Sequence, residues 1–515
     1  MVIVTGCALD RASLETKNSL NEIVGRLAMK DDLLWGAEAQ AEASIRLNWL
    51  DLPLSSRELL PELDALTAWA RVRQISTIIL SGMGGSSLAP EVIAKTYNKI
   101  LTVLDTTDPD QIAASIPDDL MHSLVIVGSK SGSTIETASH KAFFTQVYQD
   151  AGLNPADHFV IVTDPGSPLD KSARADGLRV INADPNVGGR YSALSAFGLV
   201  PAALIGVDVS LLLDDAAVAA LTFLSPNSAP VEIAAAIFDN GEQNVALFDS
   251  DSQLPGISDW IEQLIAESTG KNQTGRLPIV IGSGTAAIAG TGLKIGFHAE
   301  AMADLRVLGT LGEQFILWEW VTALLSYSLK VNPFDQPNVT EAKVRTGTLL
   351  STWNGGKVPY FKAAFENDVM AIYSGSSATT LAGQLDDFLA HSNYYIAIMA
   401  YLARGADNLA PDLRNLIATR SGKGTTFGWG PRFLHSTGQF HKGGQNNGAF
   451  LQITGENRQD LNIPHQNFSF HTLIMAQALG DGQALSDRNF PLMRIHLKDR
   501  NAGLALLVET LAKSN

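Results

Sequence analysis

One cysteine, Cys7, in 515 residues leaves no partner for an internal disulfide and no thiolate set for a cysteine-based zinc site. The chain also lacks any unbroken apolar tract of about eighteen residues, the length that spans a bilayer. Its richest apolar zone, FGLVPAALIGVDVSLLLDDAAVAALTFL, is interrupted by Asp208, Asp214 and Asp215, which suits packed helices of a soluble protein. The opening MVIVTGCALDRASLE has neither the basic run nor the apolar stretch of a signal peptide. No membrane partner and a cytoplasmic location are therefore expected. Basic charge is scarce as well: 37 Lys and Arg against 53 Asp and Glu give −16, which argues against a nucleic-acid partner but allows a local cationic pocket for an anionic metabolite. Neither a Walker loop nor a full GxGxxG fingerprint is present.

What is present is an α/β rhythm. Short apolar runs at 76–80, 100–105, 123–128, 159–163 and 178–182 alternate with helical patterns, and runs this uniformly apolar predict a doubly wound parallel sheet with helices on both faces. A second series follows at 244–248, 277–282, 369–374, 394–399, 449–453 and 492–497. The length exceeds what one core serves. The expected organisation is a helical segment over 1–60, a first α/β domain over 61–225, and a second over 226–515 ending in a helix. The charge-free segment LTFLSPNSAPV (221–231) marks the boundary.

Several stretches could carry chemistry. SKSGSTIET (129–137) joins a strand to a helix with small hydroxyl residues and a glycine, a composition that lets N–H and O–H groups converge on an anion at a helix N-terminus; an ordinary Ser/Thr cap uses the same residues. GMGGSS (82–87) is a glycine turn at the end of another strand, so both loops point to one crevice. VGGRYS (187–192) sets Arg190 behind two glycines, either beside an anion or in a surface ion pair. In WIEQLIAESTGK (260–271), Gln263 and Glu267 share a helix face and Gly270 suits a C-cap; a carboxylate in that last turn is either a proton-transfer base or a solvated helix-end glutamate. NPFDQPNVTEAK (332–343) passes from a proline-rich loop into a helix bearing Lys343. FLHSTGQFHKGG (433–444) clusters His435, His441 and Lys442; the six-residue spacing of the histidines is poor for a metal on one helix face, and no metal site is expected.

Together these stretches resemble phosphoglucose isomerase, a family of two sugar-isomerase (SIS-type) domains. GMGGS fits its GxGGS, VGGRYS fits almost letter for letter, ESTGK fits ESxGK, and NPFDQPNVTEAK fits NPFDQPGVExxK with the lysine in register. The resemblance implies an aldose-ketose isomerase of glycolysis and gluconeogenesis that interconverts D-glucose 6-phosphate and D-fructose 6-phosphate without a cofactor, in a homodimer. Carried over by position, it implies that Gly85 and Ser86 lie against the sugar. Ser129, Lys130, Ser131, Ser133, Thr134 and Thr137 form the phosphate site, and Gln263 is a sugar contact. Arg190 stabilises the enediolate, Glu267 is the base, and Lys343 lies near the ring oxygen.

Three departures stand out. Asn338 replaces the usual glycine and Glu341 sits one position late, both bearing on how Lys343 is placed. The third is larger: only His298 lies between Glu267 and Lys343, and the LHS-x-GQ pattern appears after the lysine, with His435 as the ring-opening group. That order resembles the branch found fused behind a transaldolase, whose barrel needs about 250 residues; the roughly seventy-five before the first strand of the rhythm are too few. An isomerase that also takes mannose 6-phosphate, and a non-catalytic sugar-phosphate sensor, are the rival readings.

Overall fold

A computed structural model describes residues 1–282, 292–353, 358–359 and 361–513. The first strand, β1 (Ile3–Thr5), joins a sheet built otherwise from residues far along the chain. The rhythm of residues 76–182 becomes one all-parallel sheet of β2 (Thr77–Gly82), β3 (Thr102–Leu104), β4 (Ser123–Gly128), β5 (Phe159–Thr163) and β6 (Arg179–Asn182), in the order β3-β2-β4-β5-β6. Every residue of β4 and β5 is buried, the reason these strands read as continuous apolar runs. The winding reverses between β2 and β4, and the crevice of an open α/β sheet opens there, beyond the carboxyl ends of the strands. The loops 82–87 and 129–137 both leave from those ends.

The second apolar series falls into two sheets. One holds β7 (Asn244–Phe248), β8 (Leu277–Val280), β9 (Leu293–Gly296) and β10 (Leu305–Leu308) in the order β1-β10-β9-β7-β8, parallel except for β1. The other holds β11 (Phe365–Glu366), β12 (Met370–Tyr373), β13 (Tyr395–Ala400), β14 (Gly424–Trp429), β15 (Gly448–Gly455) and β16 (Leu492–Leu497) in the order β11-β12-β16-β15-β13-β14, with β12 antiparallel to its neighbours. The edge strands β8 and β14 lie beside each other, which brings the two sheets together near the crevice.

Six helices frame the site: α1 (Ile135–Asp150), α2 (Ile257–Thr269), α3 (Leu311–Ser328), α4 (Pro337–Thr352), α5 (Gly438–Gly443) and α6 (Phe470–Ser486). The apolar zone at 197–224 forms two helices, Ala196–Leu204 and Val209–Thr222, and no described helix is long and apolar enough to cross a membrane. One apolar core contains Leu212 and Leu213, Val231 and Ile233, and Phe315 to Trp318 of α3, so segment 221–231 spans the turn, 223–228, between two helices that share a core. Ridding so long a helix as α3 of water contact on nearly every side requires neighbours all round, and almost all of its residues are buried.

Candidate active site

The glycine loops meet backbone to backbone. A β-carbon built on Gly85 would lie 1.8 Å from the carbonyl oxygen of Gly189, so only glycine lets loop 82–87 touch the loop that carries Arg190. Gly84, at φ +54°, has Gln263 Nε2 and the His435 carbonyl oxygen against the face where a side chain would stand. Two turns that the sequence presents as punctuation are therefore contact surfaces for three separated segments.

Arg190 is buried and fully engaged. Its Nε donates to Ser268 Oγ at 2.8 Å, Nη1 to Gln336 Oε1 at 2.8 Å, and Nη2 to the carbonyls of Pro333 at 2.6 Å and Asp335 at 3.0 Å. Nη1 also stands 3.2 Å from Glu267 Oε1. The planar fork matches this spread of acceptors, which an ammonium could not span. Glu267 lies in the last turn of α2, capped by Gly270, and its Oε2 accepts from Gln263 Nε2 at 3.1 Å, the i,i+4 pair expected from the sequence. The same amide donates to the His435 carbonyl at 2.9 Å. Lys271 bonds the Asn332 carbonyl and pairs with Asp335 at 2.7 Å, gripping the loop that Arg190 also holds. Burial, followed by the charge of Arg190, brings the Lys271 amine down to about 7.

In the loop before α1, Ser129 Oγ donates to Thr134 Oγ1 at 3.2 Å and accepts from the Gly132 amide, while the Ser131 and Ser133 hydroxyls lie 2.9 Å apart. Thr134 is the cap position of α1, and Thr137 Oγ1 turns back to the Thr134 carbonyl. The Lys130 ammonium is held by Asp164 at 2.6 Å and by the Pro185 carbonyl, and burial lowers its pKa.

His435 ends a short turn after β14, and its Nε2 meets Glu136 Oε1 at 3.1 Å. Burial pushes the Glu136 carboxyl up, but His435 first and Lys343 more weakly hold it below the usual glutamate range. Glu136, His435 and the exposed Lys343 line one cavity of about 180 Å³ with Ser133, Thr134 and Gln477. The histidine segment is tied down by Gln439, whose Nε2 donates to the Gly270 carbonyl at 3.0 Å and to Asn338 Oδ1 at 2.8 Å, while its Oε1 accepts from the Asn338 backbone N–H at 2.9 Å. Asn338 thus bonds the segment that carries His435. Glu341 turns away to Arg345 and Arg488, whose hydrogen bonds lower its carboxyl to about 2.

His441 and Lys442 do not join the cavity. His441 stacks on Tyr395 and bonds its hydroxyl through Nδ1, and burial drives it down to about 3, so it stays neutral. Lys442 is buried against Asp481 at 2.6 Å. The described residues contain no group of three or more His, Cys, Asp or Glu able to hold a metal ion. Sequence reasoning left Glu136, Gln336, Gln439 and Gln477 unassigned. The first three lie inside stretches already singled out, and Gln477 shows only as an amide among apolar helix residues.

Residues 65–293 match the family model described as phosphoglucose isomerase. A probable glucose-6-phosphate isomerase of Haloarcula marismortui is 33% identical over 242 residues, covering 44% of this chain and 54% of the relative. The glucose-6-phosphate isomerase of Thermosynechococcus vestitus is 37% identical over 212 residues, 38% of this chain and 40% of the relative. The chain therefore matches about half the length of these curated relatives, or less. The crystal structure of a glucose-6-phosphate isomerase from Chlamydia trachomatis superimposes with a TM-score of 0.52 at 22% identity, over 61% of this chain and 75% of that one, which supports the same α/β fold. Loop 82–87, the 129–137 loop, Arg190, Gln263 and Glu267 fall inside the matched span, and Lys343 and His435 beyond it. The resemblance read from the sequence holds: over residues 65–293 this chain is similar to phosphoglucose isomerase.

Proposed function

We propose that this protein is a glucose-6-phosphate isomerase of glycolysis and gluconeogenesis, converting D-glucose 6-phosphate and D-fructose 6-phosphate reversibly through a cis-enediol(ate). The observation that carries this reading is the Gln263 amide, bonded at once to the carboxylate of Glu267 and to the backbone of His435: a candidate enolisation base and a candidate ring-opening group share one anchor.

The phosphate sits at the N-terminus of α1 among the hydroxyls of Ser129, Ser131, Ser133 and Thr134, with Thr137 and the Lys130 charge nearby and Gly85 and Ser86 against the sugar. His435, tied through Nε2 to Glu136, moves one proton from O1 to O5 while the C1–O5 bond breaks and C1=O1 forms; Lys343 stands close to the leaving ring oxygen. Glu267 then takes the C2 proton and returns it to C1 while the O2 proton passes to O1, leaving C2=O2, and Arg190 offsets the charge that gathers on the enediolate oxygens. Every step is proton transfer, so the route calls for no metal or organic cofactor. Each chain of a homodimer carries its own histidine and glutamate in this reading, so neither has to come from the partner. A cytoplasmic location suits the substrate.

Protein treated with EDTA is expected to form fructose 6-phosphate from glucose 6-phosphate, with mannose 6-phosphate assayed alongside. Glu267→Gln removes the base and should lower turnover by about 10²–10⁴-fold while substrate still binds. Turnover in that variant close to wild type would sink the assignment.

A further inference from the structure

The Glu136 carboxylate has a second donor besides His435. Gln477, on α6, donates its Nε2 to the same oxygen, Oε1, at 2.8 Å, and its own Oε1 accepts from Thr107 Oγ1 at 2.5 Å. Thr107, Glu136 and Gln477 are all buried. An amide has two unlike ends, and nothing in its shape tells them apart; a partner must. The Glu136 carboxylate can only accept and so takes the N–H end of Gln477, since the reverse orientation would set a carbonyl against it, and the Thr107 hydroxyl, able to donate, anchors the oxygen end. The carboxylate in turn accepts only, so the His435 nitrogen facing it, Nε2, carries a hydrogen. That leaves Nδ1 as the lone pair of the neutral ring, and no described protein group bonds it.

We propose that Gln477 is a positioning residue for ring opening: anchored at its oxygen by Thr107, its amide holds the Glu136 carboxylate in the place and form that set the tautomer and aim of His435. This rests on the isomerase reading above. The titratable groups facing Glu136 are His435, Lys343 on α4, and His140 on α1, the last kept neutral by burial that brings it to about 4 and bonded to Thr106 and Ser81. None of these replaces the donor that Gln477 supplies, since each already has its own partner or only a distant charge to offer. In a water-poor site a lost donor is not made good by solvent, so the whole chain of bonds moves together.

The test uses Gln477→Leu, Thr107→Val and Thr107→Ser in the full chain. Losing the amide, or its Thr107 anchor, should lower kcat by about 10- to 100-fold, the scale of a misplaced catalytic group. The Glu136 carboxylate becomes more basic when it loses a donor, so the pH profile should move to higher pH. Ring opening should become slower than enolisation, and the deuterium isotope effect from C2-labelled glucose 6-phosphate should shrink. Thr107→Ser keeps the hydroxyl and should behave as wild type. Rates lowered uniformly, with pH profile and isotope effect unchanged in both Gln477→Leu and Thr107→Val, would overturn the inference while leaving an active wild type in place. A wild type inactive on glucose 6-phosphate would overturn the isomerase reading and this inference with it.

Discussion

Adding a single methyl group at Gly85 probes the meeting of the two glycine loops. The new β-carbon would stand 1.8 Å from the Gly189 carbonyl oxygen, and real β-carbons essentially never come within 3.0 Å of such an atom, so the loops must part by about 1.2 Å. No flexible side chain can absorb that shift, because the obstructing atom is backbone. The Gly189 oxygen also accepts from the Ser192 hydroxyl at 2.6 Å and closes the turn that presents Arg190, so the guanidinium moves with it. Displacement of about 1 Å at a catalytic group can cost about 100-fold in rate. Gly85→Ala should therefore reduce kcat/KM on glucose 6-phosphate by about 100-fold or more, with urea unfolding reporting a smaller loss. Gly189→Ala is the matched control, since its β-carbon meets nothing within 4 Å. It should stay within about threefold of wild type, because surface additions without clashes cost little. Equal activities for the two alanine variants would refute the close-approach argument.

Two further outcomes concern stability. Lys442→Met strands the Asp481 carboxylate in a pocket where both side chains are only 1% exposed, and should cost about 3–5 kcal/mol in urea unfolding. The double variant Lys442→Met with Asp481→Leu should recover most of that loss, and a double variant as unstable as the single one would show that the pair is not the cause. Lys271, brought down to about 7 in the folded chain, is charged in both folded and unfolded chains below that pH, where the full cost of burying it is present. Between pH of about 7 and 10 the unfolded chain holds more protons, so this group's contribution to stability rises with pH. The stability of wild type relative to Lys271→Met should therefore grow by on the order of 1–3 kcal/mol across that range, and a flat difference would contradict it.

The strands that were legible in the sequence are those buried on both faces. SLVIVG, FVIVT and NVALF carry their burial in composition and appear over the same residues in the structure. Those that escaped notice lack that mark: β14, GTTFGW, is glycine-bearing and buried only over its first half, β10 is buried at alternate residues, and β1, β9 and β11 are short and each includes exposed or half-buried positions. Candidate residues on one helix were equally legible, because Gln263 and Glu267 need only the 3.6-residue period to be paired. Partners supplied from elsewhere were not. The link from Glu136 to His435 spans 299 positions and that from Glu136 to Gln477 spans 341, and no local pattern encodes either.

The segments carrying Glu267, Lys343 and His435 lie far apart in the chain and meet in space. A site made of short pieces depends on where each piece lands and not on its turn in the chain, provided that something at the landing place holds it. Here the edge strand β14 lies beside β8 and delivers the histidine stretch to the end of α2. Gly270 leaves room for the Phe440 backbone, where a β-carbon would lie 2.5 Å from its Cα. Gln439 then bonds the Gly270 carbonyl on one side and Asn338 on the other, so the glutamate, lysine and histidine segments are fastened to one another by a single amide. With glycine at position 338, the side-chain half of that reciprocal pair would be missing. Asn338 and the histidine segment are thus joined directly, the side chain at 338 bonding the same amide that ties His435's stretch to the end of α2.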